Sequence, residues 1–180
     1  MELIVAASAI VISVASLWVS TRAANTQERL LAASVWPHLQ YETSDYSFVA
    51  PPAQISFNVQ NAGVGPARLQ WVALFYRGKS YANAQAFFAA CCKPTRRINA
   101  ITEYLQERVL TPNQTVTFIR VPKSVVRRDF WAALDTRRQE AYLRACYCSV
   151  LDDCWVFDAR QSQPQRVGAC PPAPAPLFDG

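Results

Sequence analysis

Residues 53–76 read AQISFNVQNAGVGPARLQWVALFY, and the kind of domain the chain builds is decided there. From Ala53 to Asn61 the side chains alternate, with Ile55, Phe57 and Val59 on one side and Gln54, Ser56, Asn58 and Gln60 on the other. A period of two belongs to a strand with one buried face. Asn61 to Ala67 (NAGVGPA) follows as a turn, because its two glycines can take positive φ and its proline cannot donate to a ladder. Arg68 to Tyr76 (RLQWVALFY) is apolar on both faces, which predicts a central strand. Arg77-Gly78-Lys79 closes it as a turn.

Working outward, the same short-strand grammar continues. His38 to Thr43 (HLQYET) places Leu39 and Tyr41 on one side. Thr115 to Val121 (TVTFIRV) is β-branched and leaves a turn at Thr111 to Gln114. Glu140 to Val150 and Cys154 to Asp158 read as a hairpin about Asp152-Asp153, with Tyr147, Val150, Trp155 and Phe157 as core bulk. Ile98 to Leu110 alternates imperfectly and favours strand toward its end. Two segments read as helices: Tyr81 to Cys92, stopped by Pro94, and a segment from Ser124 to about Arg138 that buries Val126, Phe130 and Leu134. The expected fold is therefore mainly β, an antiparallel β-sandwich or partial barrel over residues 37–160 with one or two short covering helices. Ile55, Phe57, Trp71, Phe75, Phe118 and Trp155 are predicted to share one core. Residues 161–180, with Pro164, Pro171, Pro172, Pro174 and Pro176, are expected to form an extended or disordered tail.

Upstream of the domain, Leu3 to Thr21 (LIVAASAIVISVASLWVST) carries no formal charge. As a helix it would span about 28 Å, close to the thickness of a bilayer's hydrocarbon. A cleaved signal peptide fits less well, since acidic Glu2 precedes the run and Arg22 follows it directly. Arg22 to Ala33 contains no Gly or Pro, so one helix is expected from about Glu2 to Ser34, ended by Trp36-Pro37. Residues 1–36 are thus read as a transmembrane helix with a juxtamembrane extension, and the chain as a single-pass protein of the inner (plasma) membrane. Arg22 and Arg29 lie just beyond the run, which places the domain on the cytoplasmic side; six cysteines pull toward an oxidising compartment. Ala6, Ala9, Ser13, Ser16, Ser20 and Ala23 recur at spacings of three and four, a stripe of small residues through which anchors could pack as a homo-oligomer.

The Trp36-Pro37 junction, the Asn61 to Ala67 turn, Tyr147-Cys148-Ser149 and the nearby Cys154-Trp155 together resemble small bacterial single-pass membrane proteins with an immunoglobulin-like β domain. The resemblance covers about a third of the chain; it implies the domain type, lends no activity and assigns no residue a role.

Candidate chemistry is sparse. Cys91, Cys92, Cys146, Cys148, Cys154 and Cys170 read as disulfides or as small buried hydrophobes, and Cys148 could meet Cys154 across the hairpin, depending on its register. A metal is not expected: paired knuckles are missing, and Cys146 and Cys148 share a face with no second pair evident nearby. The sole histidine, His38, has no accompanying hydrolase or phosphate-loop motif and reads as a junction residue. A net charge of +5 and a pI near 9.0 come largely from Arg96-Arg97, Arg127-Arg128 and Arg137-Arg138. These suit anionic lipid or a phosphorylated ligand, or form a solvated helix face. No aromatic–basic interleaving of the nucleic-acid kind is present. The expectation is a membrane-anchored binding or assembly module with a protein or self partner, no enzyme activity, no cofactor and no nucleic acid. Its rivals are an oligomerising membrane effector that perturbs the bilayer and a disulfide-stapled periplasmic envelope protein.

Overall fold

The computed structural model describes residues 2–46 and 53–180, with side chains in the first helix given for residue 10 and from residue 12 onward. The chain divides into two units, Met1–Val35 and Trp36–Gly180. In the first, α1 (Glu2–Ser34) is one uninterrupted helix, as the lack of Gly and Pro predicts. The Arg22 guanidinium lies 4.5 Å from the centre of the Trp18 ring. Among the described residues no helix is long and apolar enough to cross a membrane.

The second unit is mainly β and antiparallel. One sheet has the order β1-β2-β7-β5, from β1 (Leu39–Ser44), β2 (Gln54–Asn61), β5 (Ile101–Thr102) and β7 (Thr115–Pro122). The other runs β10-β9-β8-β3-β4, from β3 (Ala67–Tyr76), β4 (Lys79–Tyr81), β8 (Ala141–Cys148), β9 (Cys154–Asp158) and β10 (Gln165–Val167), with β6 (Val109–Leu110) also paired to β3. The inner faces share one core of Ile55, Phe57, Val59, Leu69, Val72, Leu74, Phe118, Leu143 and Tyr147, with Trp155 packed against it. Trp71 and Phe75 are buried too, but on the other face of β3. That corrects the expectation of a single shared core: an apolar run on both faces buries one face in each of two layers.

Two helices cover the core. Asn83 caps α2 (Ala84–Cys92) by accepting a hydrogen bond from Ala86 N–H at 2.9 Å, and Lys93, in the left-handed region at φ 44°, ends it before Pro94. Its Phe87 meets Phe57 edge-on, and its Phe88 does the same to Phe130 of α3 (Arg128–Arg137). The expected helix from Ser124 breaks into a short 3-10 turn at Lys123–Val125 and then α3, because Val126 and Arg127 are extended. Ser124 therefore does not cap α3; Asp129 places a carboxylate in its first turn and accepts from the Phe130 N–H at 2.9 Å.

The Asn61 to Ala67 turn does more than reverse the chain. The buried Asn61 side chain accepts from His38 N–H and Gly63 N–H, each at 3.1 Å, and donates to the Gly65 carbonyl at 2.8 Å and the Leu110 carbonyl at 3.0 Å. Ala62 N–H donates to the His38 carbonyl and Val64 N–H to the Trp36 carbonyl. A Cβ on Gly63 would lie 2.5 Å from both His38 N and the Trp36 carbonyl oxygen, so only glycine lets the backbones approach this closely. The turn is a clasp on Trp36-Pro37-His38, where the chain enters the domain.

The tail is extended but not disordered. Phe178 is fully buried against Phe118, and its N–H donates to the Val72 carbonyl at 3.1 Å. The Gln106 side-chain amide accepts from Val72 N–H and donates to the Val72 and Phe178 carbonyls. It satisfies a stretch of β3 edge that lies between the short partners β6 and β4. Trp71 Nε1–H donates to the Pro171 carbonyl at 3.0 Å. Proline richness removes donors from the tail but leaves carbonyls and one aromatic to hold it.

Candidate functional site

Lys93 ends α2 in the left-handed region, Pro94 turns the chain outward, and residues 94–99 run past the start of α3. Between the two lies a cavity of about 270 Å³ lined by Cys92, Lys93, Arg96, Arg97, Arg127 and Phe130, among others. Ile98, Val126 and Phe130 also line it, and Phe130 packs edge-on against Phe88. Its rim is cationic, with four basic side chains and one acid, Asp129. Arg127 is committed to that acid through contacts of 3.1 to 3.3 Å. The Arg127 guanidinium, with the Phe130 N–H, holds the Asp129 carboxyl below the usual carboxylate range. Lys93, Arg96 and Arg97 are exposed and make no salt bridge among the described residues. A cavity of this size fits a phosphate-sized anion with a small substituent and lies below the usual range for drug-sized ligands.

The six arginines singled out from sequence therefore separate. Arg96, Arg97 and Arg127 share the cavity, and Arg128 sits beside it on a shallow surface with Arg127 and Ala132. The other two have structural partners. Arg137 donates to the Cys91 carbonyl and ties the end of α3 to α2. Arg138 is buried; it donates to Asp135 at 2.9 Å and to the Thr43 carbonyl at 2.8 Å, and lies 3.5 Å from Asp45. It is neither a ligand contact nor part of a solvated face: the short 3-10 turn after α3 swings it under β1. Periodicity could not show this, since it assumes one continuous helix.

All six cysteines are paired, as Cys91–Cys92, Cys146–Cys170 and Cys148–Cys154. The hairpin register sets Cys148 directly opposite Cys154. The second pair that the sequence reading lacked beside Cys146 and Cys148 is Cys154 and Cys170, the latter supplied by the docked tail. Of the small-residue stripe, Ser13, Ser16, Ser20 and Ala23 are exposed on α1, while Ala6 and Ala9 lie outside the described side chains. The His38 ring lies 5.1 Å from the Trp36 ring in the clasp, tilted by 44°. Sequence reasoning found the arginines by their pairing but not Lys93, whose place at the cavity follows from a helix end. No family model, curated protein or solved structure matches the chain.

Proposed function

We propose that the chain is a single-pass, membrane-anchored binding module without catalytic activity, and that the cavity between α2 and α3 receives an anionic group. The observation that carries the binding part is the set of Lys93, Arg96 and Arg97, three cations without a salt bridge among the described residues, around one cavity. Guanidinium forks suit phosphate oxygens, and charge-assisted bonds of this kind contribute about 1.5 to 3 kcal/mol each. Support for the anchor comes from the uncharged run Leu3 to Thr21 and from Ile10, Ile12, Val14, Leu17, Trp18 and Val19, all exposed on α1. The three disulfides favour a second reading of the same module, with its domain on the periplasmic side.

Full-length protein in nanodiscs tests the site by calorimetric titration with inorganic pyrophosphate. Arg96→Ala/Arg97→Ala should weaken binding at least about tenfold, while Arg128→Ala changes it little. Equal binding by all three proteins, or none by the unsubstituted one, overturns the site. Repeating the titration on discs rich in phosphatidylglycerol separates sources: a lipid headgroup in the cavity competes with pyrophosphate, whereas a soluble ligand site titrates alike in both lipids.

A further inference from the structure

We infer that Cys146, Cys148, Cys154 and Cys170 are one redox-alternating metal site, which holds two disulfides when oxidised and binds a zinc-class cation through four thiolates when reduced. This inference is independent of the anion cavity. It begins with the packing of the two disulfides against each other. Cys148 Sγ lies 3.9 Å from Cys170 Sγ, although these atoms belong to different disulfides. Tetrahedral zinc with Zn–S of about 2.3 Å sets neighbouring sulfurs about 3.8 Å apart, so one edge of that tetrahedron is already present. The sulfurs of Cys148, Cys154 and Cys170 all lie within 4.8 Å of one another, and Cys146 is bonded to Cys170. Parting the two bonded pairs to the same separation needs side-chain rotation, not rearrangement of the strands.

The four donors come from three separately held segments. Cys146 and Cys148 stand two apart on β8 and so share its outer face, and the ladder fixes Cys154 opposite Cys148. Without its disulfide Cys170 loses a covalent tie but stays within reach of the other three sulfurs, because the tail is held on both sides of it. Before it, β10 pairs with β9; after it, the Pro171 carbonyl accepts from Trp71, and Phe178 fills the core. Cys146, Cys148 and Cys154 are buried, which limits competition from water. Four thiolates on a divalent cation leave two negative charges. Arg68 stands opposite Cys148 in the ladder; its Nη2 pairs with Asp152, but its buried Nε–H has no hydrogen-bond partner, and donors beside thiolates stabilise such ligand sets.

The chemistry balances with a two-electron thiol oxidant of the azodicarboxamide class. Four metal-bound thiolates give up four electrons, two S–S bonds form and the cation leaves. Two oxidant molecules take those electrons with four protons from solvent and become hydrazines. Reduction by a phosphine reverses the sulfur step, as water supplies the phosphine oxide's oxygen. One set of residues thus serves either compartment: a cytoplasmic domain carries metal, an envelope domain carries disulfides.

The test is an anaerobic cobalt(II) titration of the full-length chain in detergent after phosphine reduction. One equivalent should bind with thiolate-to-cobalt charge transfer and the intense d–d bands of a tetrahedral sulfur site. Diamide should abolish both as two disulfides form. Cys170→Ser should weaken binding at least about tenfold, while Cys91→Ser/Cys92→Ser leaves the spectrum unchanged. Absence of charge transfer in the reduced unsubstituted chain overturns the site, and this arm needs no substitution to fold. A cobalt affinity unchanged by Cys170→Ser, or a spectrum that disappears with the Cys91–Cys92 pair, overturns it as well.

Discussion

The two faces of β8 are built on different principles. Its inner residues, Ala141, Leu143, Ala145 and Tyr147, lie in the common core, held by burial and by the stacking of Tyr147 on Trp155 at 5.7 Å. Its outer residues, Tyr142, Arg144, Cys146 and Cys148, carry cross-links, ion pairs and stacked rings. Phe75 stacks on Tyr142 at 5.2 Å, Arg160 lies over Tyr142 at 4.0 Å, and Asp158 accepts from Arg160 at 2.8 to 3.1 Å. One strand therefore separates a layer indifferent to redox state from a layer whose covalent links depend on it. The C-terminal tail belongs to both: Cys170 secures it on the outer face and Phe178 in the core.

The strongest way to break this contrast is to damage the inner layer. Phe118→Ala removes a fully buried ring that packs on Phe57 and Phe178, and should cost about 3 to 5 kcal/mol. In urea denaturation the loss should be the same with and without reductant. Reduction should have the next largest effect. The Cys146–Cys170 link closes a sequence separation of 24 and Cys148–Cys154 one of 6; chain entropy assigns them about 3 to 4 and about 2 kcal/mol. Cys146→Ala/Cys170→Ala, measured without reductant and with a chelator present, should therefore lower the denaturation midpoint more than Cys148→Ala/Cys154→Ala.

The smallest effects are those of pH, and they also divide by face. Burial alone would raise the Asp158 carboxyl, but hydrogen bonds from Arg160 and the nearby Arg144 charge outweigh it and hold the carboxyl below its usual range. Its folded value lies below its unfolded one, so its contribution is full above the ordinary carboxylate range and fades as pH falls through it. On the inner face, burial pushes the Tyr147 hydroxyl up to about 12. Its contribution is intact below the ordinary tyrosine value of about 10 and fades as pH rises toward about 12. Asp158→Asn should flatten the acid side of a stability–pH profile, and Tyr147→Phe the alkaline side.

Local sequence pattern revealed the strands because each alternates by itself: β2 and β3 lie within a residue of the segments read from 53–76. The turn at Asn61 was legible as a turn but not as a clasp, because its partners in residues 36–38 are backbone atoms 23 to 29 residues away, whose contacts leave no side-chain signature. Gln106 was missed for a similar reason, since an amide that completes a strand edge looks like any polar loop residue. The tail's prolines advertised disorder, while a single phenylalanine, Phe178, decided its docking. For the site, paired arginines were visible as charge, yet which ones face the cavity depends on where α3 begins and ends. The sulfur cluster depended on the tail, so an error about the tail hid it.

Hydrogen exchange on the full-length chain, compared oxidised and reduced in the presence of a chelator, tests the two-layer account most directly. Reduction should accelerate exchange in β9, β10 and the tail through Cys170, while β2 and β7 keep their protection. Equal acceleration across both sheets, or none at the tail, would contradict a domain whose core stands without its cross-links.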